Sequence, residues 1–313
     1  MIEVLEAVPN FSEGRDLAKV RALVDTIAAH GVEILDWSAD PDHNRSVVTY
    51  IGGRPEVEAA SIAAASFAVE HIDLTRHRGV HPRIGALDVL PFVPLAGLEM
   101  ADAVASAHRV GAAIARLGVP VFFYARASRP PGRALSAIRK GGFEGVRDGF
   151  DRERCPDLPE GCRHPHPTAG ATCVGARKVL LAWNVFVAGI DLAAAREIAS
   201  TIRERNGGFA GVRALGLWLE RRNRLQVSMN LEDLDRTSPV AVYDAVEAEV
   251  VSRGGHLEGT EVIGMIPDAL VLPGVADRLQ LLDPGSARVL SHRVAEHVKA
   301  RAVGQTESSD RTG

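Results

Sequence analysis

The chain has 313 residues, 46% of them hydrophobic, and a formal net charge of −4 from 36 basic and 40 acidic side chains. That length suits one large domain or two modest ones, each able to bury a core. The acidic balance excludes a nucleic-acid or membrane surface that works by bulk charge.

Residues 2–8 read as a strand, with Ile2, Val4 and Leu5 as the inward candidates, before a turn at Pro9-Asn10. Ser12 or Asp16 caps a helix in which Leu17, Val20, Leu23, Val24 and Ile27 recur at helical spacing, and Gly31 ends it. Strands follow at 32–37 and at 46–51, the second rich in β-branched and aromatic residues. A helix opens at Pro55 and runs to about His71, and residues 86–95 return as a strand. The order βαββαβ is the ferredoxin-like signature. Residues 99–117 read as a further helix and 119–124 as an apolar strand. Residues 126–168, full of Gly, Pro and Arg, read as a long loop with short helices, a kind of segment that often carries function.

A second unit begins near Val174. A strand at 178–187 precedes a helix from Asp191 to about Arg205. Strands at 212–219 and 224–230, a helix at 239–252 and a strand near 257–265 complete βαββαβ again. The expected fold is therefore α+β, with two ferredoxin-like subdomains over 1–176 and 177–302, each a sheet packed by helices. The polar residues 303–313 are expected to be a disordered tail. Cys155, Cys162 and Cys173 make neither a disulfide framework nor a zinc site. The amino terminus MIEVLEAVPNF lacks the charge and apolar pattern of a leader, and no window approaches roughly 18 uninterrupted apolar residues. A cytoplasmic protein is expected.

Four segments carry candidate chemistry. In Thr75-Arg-His-Arg-Gly-Val-His-Pro-Arg-Ile-Gly-Ala-Leu-Asp88, His81 is held between Gly79 and Pro82. Its imidazole can exchange protons near neutral pH, and the arginines beside it can grip carboxylates. Two other readings stand beside this one: a loop of solvated His and Arg, or a metal site of His71, His77, His81 and Asp88. Gly79 and Pro82 break the continuous helix such a metal site would use, so no metal is expected. Val8-Pro-Asn-Phe-Ser-Glu-Gly14 places Asn10 at a strand end, either as a ligand group or as a plain turn and cap. Asp36-Trp-Ser-Ala-Asp-Pro-Asp-His-Asn-Arg-Ser46 sets Asn44 and Arg45 at the mouth of a strand, where loop residues often face a ligand. Gly161 to Lys178 is glycine-rich, yet matches neither a phosphate loop nor a dinucleotide fingerprint.

Together, VPNFSEGR, DHNRSVVTYIG, HRGVHPRIGALDVLPFVPL and ATCVGARKVLLAWNV resemble, in order and spacing, the formimidoyltransferase family, over about residues 3–300. Those enzymes pass a formimino group from N-formimidoylglutamate to tetrahydrofolate, in histidine degradation and one-carbon metabolism. The resemblance implies a folate cleft or tunnel between the subdomains, a homodimer and tetrahydrofolate as co-substrate. It implies the transferase part alone, because the chain ends before a cyclodeaminase domain would begin. It places the catalytic histidine at His81 and folate contacts at Gly161, His166, Thr168, Gly170 and Thr172. The stretch GCRHPHPTAG keeps the glycine ends of the family pattern, but its middle is rich in His and Pro. Where relatives carry an aspartate near the histidine, this chain has Ser38. Asp40 or Asp36, on the same face of an extended strand, then supplies the missing carboxylate. Asn10, Asn44, Arg45, Arg83 and Arg177 are the substrate-binding candidates. The alternatives are another formimidoyl or formyl donor or acceptor, and a folate-binding protein without turnover.

Overall fold

The computed structural model describes residues 2–151, 154–283 and 285–310. Contacts group residues 1–177 with 294–313 as one compact unit and 178–293 as another. The first unit runs β1 (Leu5–Ala7), β2 (Asn10–Phe11), α1 (Leu17–Ala28), β3 (Glu33–Asp40), β4 (Arg45–Gly52), α2 (Arg54–His71), β5 (Leu87–Pro94), α3 (Met100–Arg116), β6 (Val121–Ala125), α4 (Leu135–Ile138) and β7 (Thr172–Ala176). β1 and β2 follow one unbroken register on β4, from Leu5 opposite Gly52 to Phe11 opposite Ser46. Both also pair with β5, and β3 flanks β4 on its other edge. This is the ferredoxin-like strand order, extended past β5 by the parallel strands β7 and β6.

Local chemistry explains the helices that cover one face of that sheet. Asp16 caps α1 by accepting the Lys19 N–H at 3.0 Å, and Val20, Leu23 and Ile27 form its buried stripe. In α2 the buried positions are mostly alanines, Ala60, Ala64, Ala65 and Ala68, which let it sit close to its neighbours. These helices meet Leu5, Ala7, Phe11, Val48, Tyr50, Leu90 and Phe92 of the sheet in one core.

The second unit runs β8 (Leu181–Ala188), α5 (Leu192–Ile202), β9 (Val212–Leu219), β10 (Arg224–Leu231), α6 (Pro239–Ser252), β11 (His256–Ile263) and α7 (Val275–Arg278). Its antiparallel sheet has the order β11-β8-β10-β9, again ferredoxin-like. Asp191 caps α5 through the Ala194 N–H at 2.8 Å. Trp183 and Tyr243 stack inside the core with ring centres 6.1 Å apart.

The fold class is as the pattern predicted, with four differences. Residues 172–176 are a strand of the first sheet rather than the start of the second unit; all five are buried, so no alternation marks them. Of the inward candidates at the first strand, Val4 and Leu5 are buried but Ile2 only half so, and it is Leu5 and Ala7 that enter the helix-covered core. The final helix, α8 (Leu290–Asp310), takes in residues 303–310 of the expected tail, while 311–313 lie outside the described residues. Residues 294–302, assigned by sequence to the second subdomain, group with the first. His297 Nδ1 meets Glu33 Oε2 at 2.7 Å, and Arg301 donates to Glu56 at 3.2 Å. Among the described residues no helix is long and apolar enough to cross a membrane.

At Gly216 of β9 the helix α5 lies close against its sheet, so that a Cβ there would collide with the backbone of Ala195 and Arg196. Gly216→Ala should therefore lower stability by about 1–3 kcal/mol, read from the urea unfolding midpoint, with no change in a glycine's neighbour such as Leu217→Ala beyond its own small loss.

Candidate active site

Side chains alternate across a strand, so with Val48 and Tyr50 in the helix-covered core, Arg45, Val47 and Thr49 point from the sheet's other face. Across the register stand Asp40, Ser38 and Asp36 of β3, which do share that face, and Asn10 of β2. On β5 the pairing slips between Val89 opposite Asn10 and Leu87 opposite Phe11, leaving Asp88 as the extra residue of a bulge. Bulges re-aim a side chain, and here the carboxylate is turned onto the arginines.

Asp88 is fully buried. One carboxylate oxygen accepts the Ile84 N–H at 2.8 Å; the other accepts Arg45 Nη1 at 2.8 Å and Arg139 Nη1 at 2.9 Å. Arg45 Nε also donates to Asn10 Oδ1 at 3.1 Å, and Arg139 to the Pro82 carbonyl at 3.3 Å. Burial works to raise the Asp88 carboxyl, but Arg139 and Arg45 outweigh it and hold it below the usual carboxylate range. Two guanidinium groups on one carboxylate leave a positive charge in excess.

His81 lies within that field. Its Nδ1 is 2.9 Å from the Pro82 carbonyl, which can only accept, so Nδ1 carries the hydrogen and Nε2 keeps its lone pair. The His43 ring stands edge-on to it at 5.8 Å. Burial, then Arg45, Arg139 and His43, lower the imidazole well below its ordinary value. His81 is thus a neutral base at physiological pH.

The loop bearing His81 is pinned from several sides. His77 Nε2 donates to the Asn44 carbonyl at 2.7 Å, and its Nδ1 accepts Arg83 Nε at 2.8 Å. Arg83 completes a fork onto Glu144 at 2.7 and 2.6 Å, which holds that carboxyl down to about 2. Asn44, at φ 47°, accepts the Gly14 N–H at 3.0 Å and donates to the Arg78 carbonyl at 3.0 Å. Gly14 and Gly79 have no room for a Cβ, which would strike the backbone of Arg45 and His43 respectively. A cavity of about 460 Å³ opens beside this loop, lined by His77, Arg78, Arg83, Phe143, Glu144 and Arg147, without His81 or Asp88.

The other sequence candidates fall as follows. Asp40 Oδ1 accepts the N–H groups of Asp42 and His43, both at 2.8 Å, and so shapes the turn that carries His43. Asn10 Nδ2 donates to the Val8 carbonyl at 2.8 Å. Arg177 follows β7 at the Phe92 end of β5, away from Asp88, and its charge acts on Glu6. His166 and Gly170 bond to each other's backbone at 2.8 and 2.9 Å in a tight turn, and Thr168 accepts the Leu74 N–H at 2.9 Å. Gly170 packs against the Ile84 carbonyl, Thr172 starts β7, and Gly161 stands in open space. Of the metal candidates, His77 and Asp88 are bonded as above, and among the described residues no group of three or more His, Cys, Asp or Glu is placed to hold an ion. Sequence reasoning had no role for Arg139 or His43, and considered Asp88 only as a metal ligand. Arg139 is one of many arginines in 126–168, with nothing local to single it out.

The formiminotransferase domain matches this chain in two parts: its N-terminal subdomain over residues 4–177, and the formiminotransferase domain over residues 182–277. The chain is 38% identical over 287 residues to glutamate formimidoyltransferase of Streptococcus pyogenes, covering 90% of this chain and 95% of that one. It is 36% identical over 299 residues to glutamate formimidoyltransferase of Thermoplasma acidophilum, covering 94% and 98%. Against formimidoyltransferase-cyclodeaminase of Sus scrofa it is 36% identical over 290 residues, covering 88% of this chain and 52% of the longer protein. The chain belongs to the formiminotransferase family of group-transfer enzymes.

Proposed function

We propose that this protein transfers a formimino group from N-formimidoyl-L-glutamate to N5 of tetrahydrofolate, giving 5-formimidoyltetrahydrofolate and glutamate. The observation that carries the reading is the neutral His81, held by the Pro82 carbonyl beside a carboxylate shared between two arginines. The names of the relatives supply the group that is moved.

The chemistry asks for one proton to leave N5 and one to reach the departing nitrogen. The N5 lone pair attacks the amidine carbon while His81 Nε2 takes the N5 proton. The tetrahedral intermediate then breaks its bond to the glutamate nitrogen, which receives that proton, and glutamate leaves as an amine. The imidazole ends as it began. This shuttle supplies about 10²- to 10⁴-fold of rate, and the rest comes from holding two substrates together. The excess positive charge of Arg45 and Arg139 suits a donor carboxylate. Asp40 acts by shaping the turn that places His43 against His81. Products of this kind feed one-carbon metabolism from histidine degradation.

The direct test follows 5-formimidoyltetrahydrofolate formation from the two substrates. Wild-type protein should turn over, and His81→Ala should lose about 10²- to 10⁴-fold in kcat. Folded wild-type protein that binds tetrahydrofolate but makes no product would point instead to another donor, and Ser38 would be the first position to vary. A pH profile tests the electrostatics. The acidic limb of kcat/KM reports protonation of His81, so in the wild type it should lie well below pH 6.5, the ordinary histidine value. Arg139→Gln removes one of the charges that depress the imidazole, so the limb should move up toward that value. A limb at the ordinary value, unmoved by the substitution, would sink the assignment.

A further inference from the structure

Glu6 takes no part in the steps above, yet it is a carboxylic acid only 3% exposed in the middle of a sheet. Leu5 and Ala7 on either side of it enter the helix-covered core, so Glu6 looks out from the opposite face, the one that bears Asn10 and Arg45. The continuous register of β1 and β2 on β4 fixes its place: Glu6 opposite Ile51, Asn10 opposite Val47. The four residues from Glu6 to Asn10 span about 13 Å of extended chain. On the same face between those two rows lies Thr49, 1% exposed, whose hydroxyl has no hydrogen-bond partner among the described residues.

The surroundings of Glu6 are otherwise poor in polar groups. Ile51 and Val93, its neighbours across β4 and β5, are fully buried. Burial raises the carboxyl to about 7, Arg177 offsets part of that, and among the described residues none donates a hydrogen bond to it. A buried carboxyl without donors is costly to keep. A buried acid and a buried hydroxyl, neither of them hydrogen-bonded among the described residues, lie one row apart in a strip leading to the arginines.

The chemistry of the two substrates decides what fits. The donor carries two carboxylates, which Glu6 would repel. Its amidine does offer N–H groups, but the reacting carbon belongs at His81, at the other end of the strip. The acceptor is different. With N5 at His81, the far end of its pterin carries the 2-amino group and N3–H side by side, two donors spaced for the two oxygens of one carboxylate.

We propose that Glu6 is the specificity residue for the acceptor: its carboxylate accepts hydrogen bonds from the pterin 2-amino group and N3–H, with the Thr49 hydroxyl beside it. This rests on the folate reading above. It sets the ring's direction along the sheet, with the aminopyrimidine end toward Glu6 and N5 toward His81.

Tetrahydrofolate and its 2-desamino analogue are titrated by calorimetry under anaerobic conditions into the full chain, as wild type and as Glu6→Gln. Wild-type protein should bind tetrahydrofolate about 10- to 100-fold more tightly than the analogue. Glu6→Gln should weaken tetrahydrofolate binding by a similar factor and no longer tell the two apart, while the donor's KM stays put. A merely structural Glu6 would leave the discrimination intact in the variant, and that result overturns the proposal. Equal binding of both compounds by wild type overturns it too, without any need for the variant to fold. Wild-type protein that binds neither compound removes the folate reading itself, and the proposal with it.

Discussion

A carboxylate with no access to water, gripped by two guanidinium groups, is the interaction on which this site depends. Asp88 ties β5 to Arg45 on β4 and to Arg139 from beyond α4, while Ile84 N–H fixes its second oxygen. Taking three charges out of solvent is expensive, and the ion pairs to both Asp88 partners offset that cost, although Arg139 Nε has no hydrogen-bond partner among the described residues. The arrangement is also unbalanced by one charge. Burial first, and then that imbalance, lower the neighbouring imidazole. One bulged residue in a strand therefore draws two guanidinium groups together, and both act on His81.

The loops hold because backbone meets backbone. Gly14 and Gly79 bring the segments after β2 and before β5 against the turn from β3 to β4, and Asn44 bonds to both. The bidentate pair of Arg83 and Glu144 then fastens the His81 loop to the long segment that delivers Arg139. Two arginines that look interchangeable in sequence have different partners, Arg83 fastening a loop to Glu144 and Arg139 reaching the buried Asp88.

Elements with a clear period were legible in the chain. The stripe of α1 and the repeated βαββαβ order followed from spacing, while of the two cap candidates, Ser12 and Asp16, it is Asp16 that caps the helix. β7 was not, since five consecutive buried residues carry no alternation. The end of the chain was read from its polar composition, which cannot show that His297 and Arg301 anchor a helix upstream. Within the candidate site, the residues joined to a turn or strand end stood out as candidates in the sequence, His81 and Arg45 among them. Arg139 reaches Asp88 across 51 positions and leaves no local trace. Glu6 hid for a different reason: one acid in a short strand reads as a solvent-facing residue unless the burial of that face is known.

The return of α8 to the first unit bears on the order in which the protein is made. Domains commonly fold in sequence as they leave the ribosome, the amino-terminal one first. Here residues 178–293 form a unit continuous in sequence, whereas the first unit is finished only when His297 and Arg301 reach Glu33 and Glu56. The second unit thus has all its residues before the first does. During synthesis the first sheet waits, without α8, until residues 178–293 have emerged.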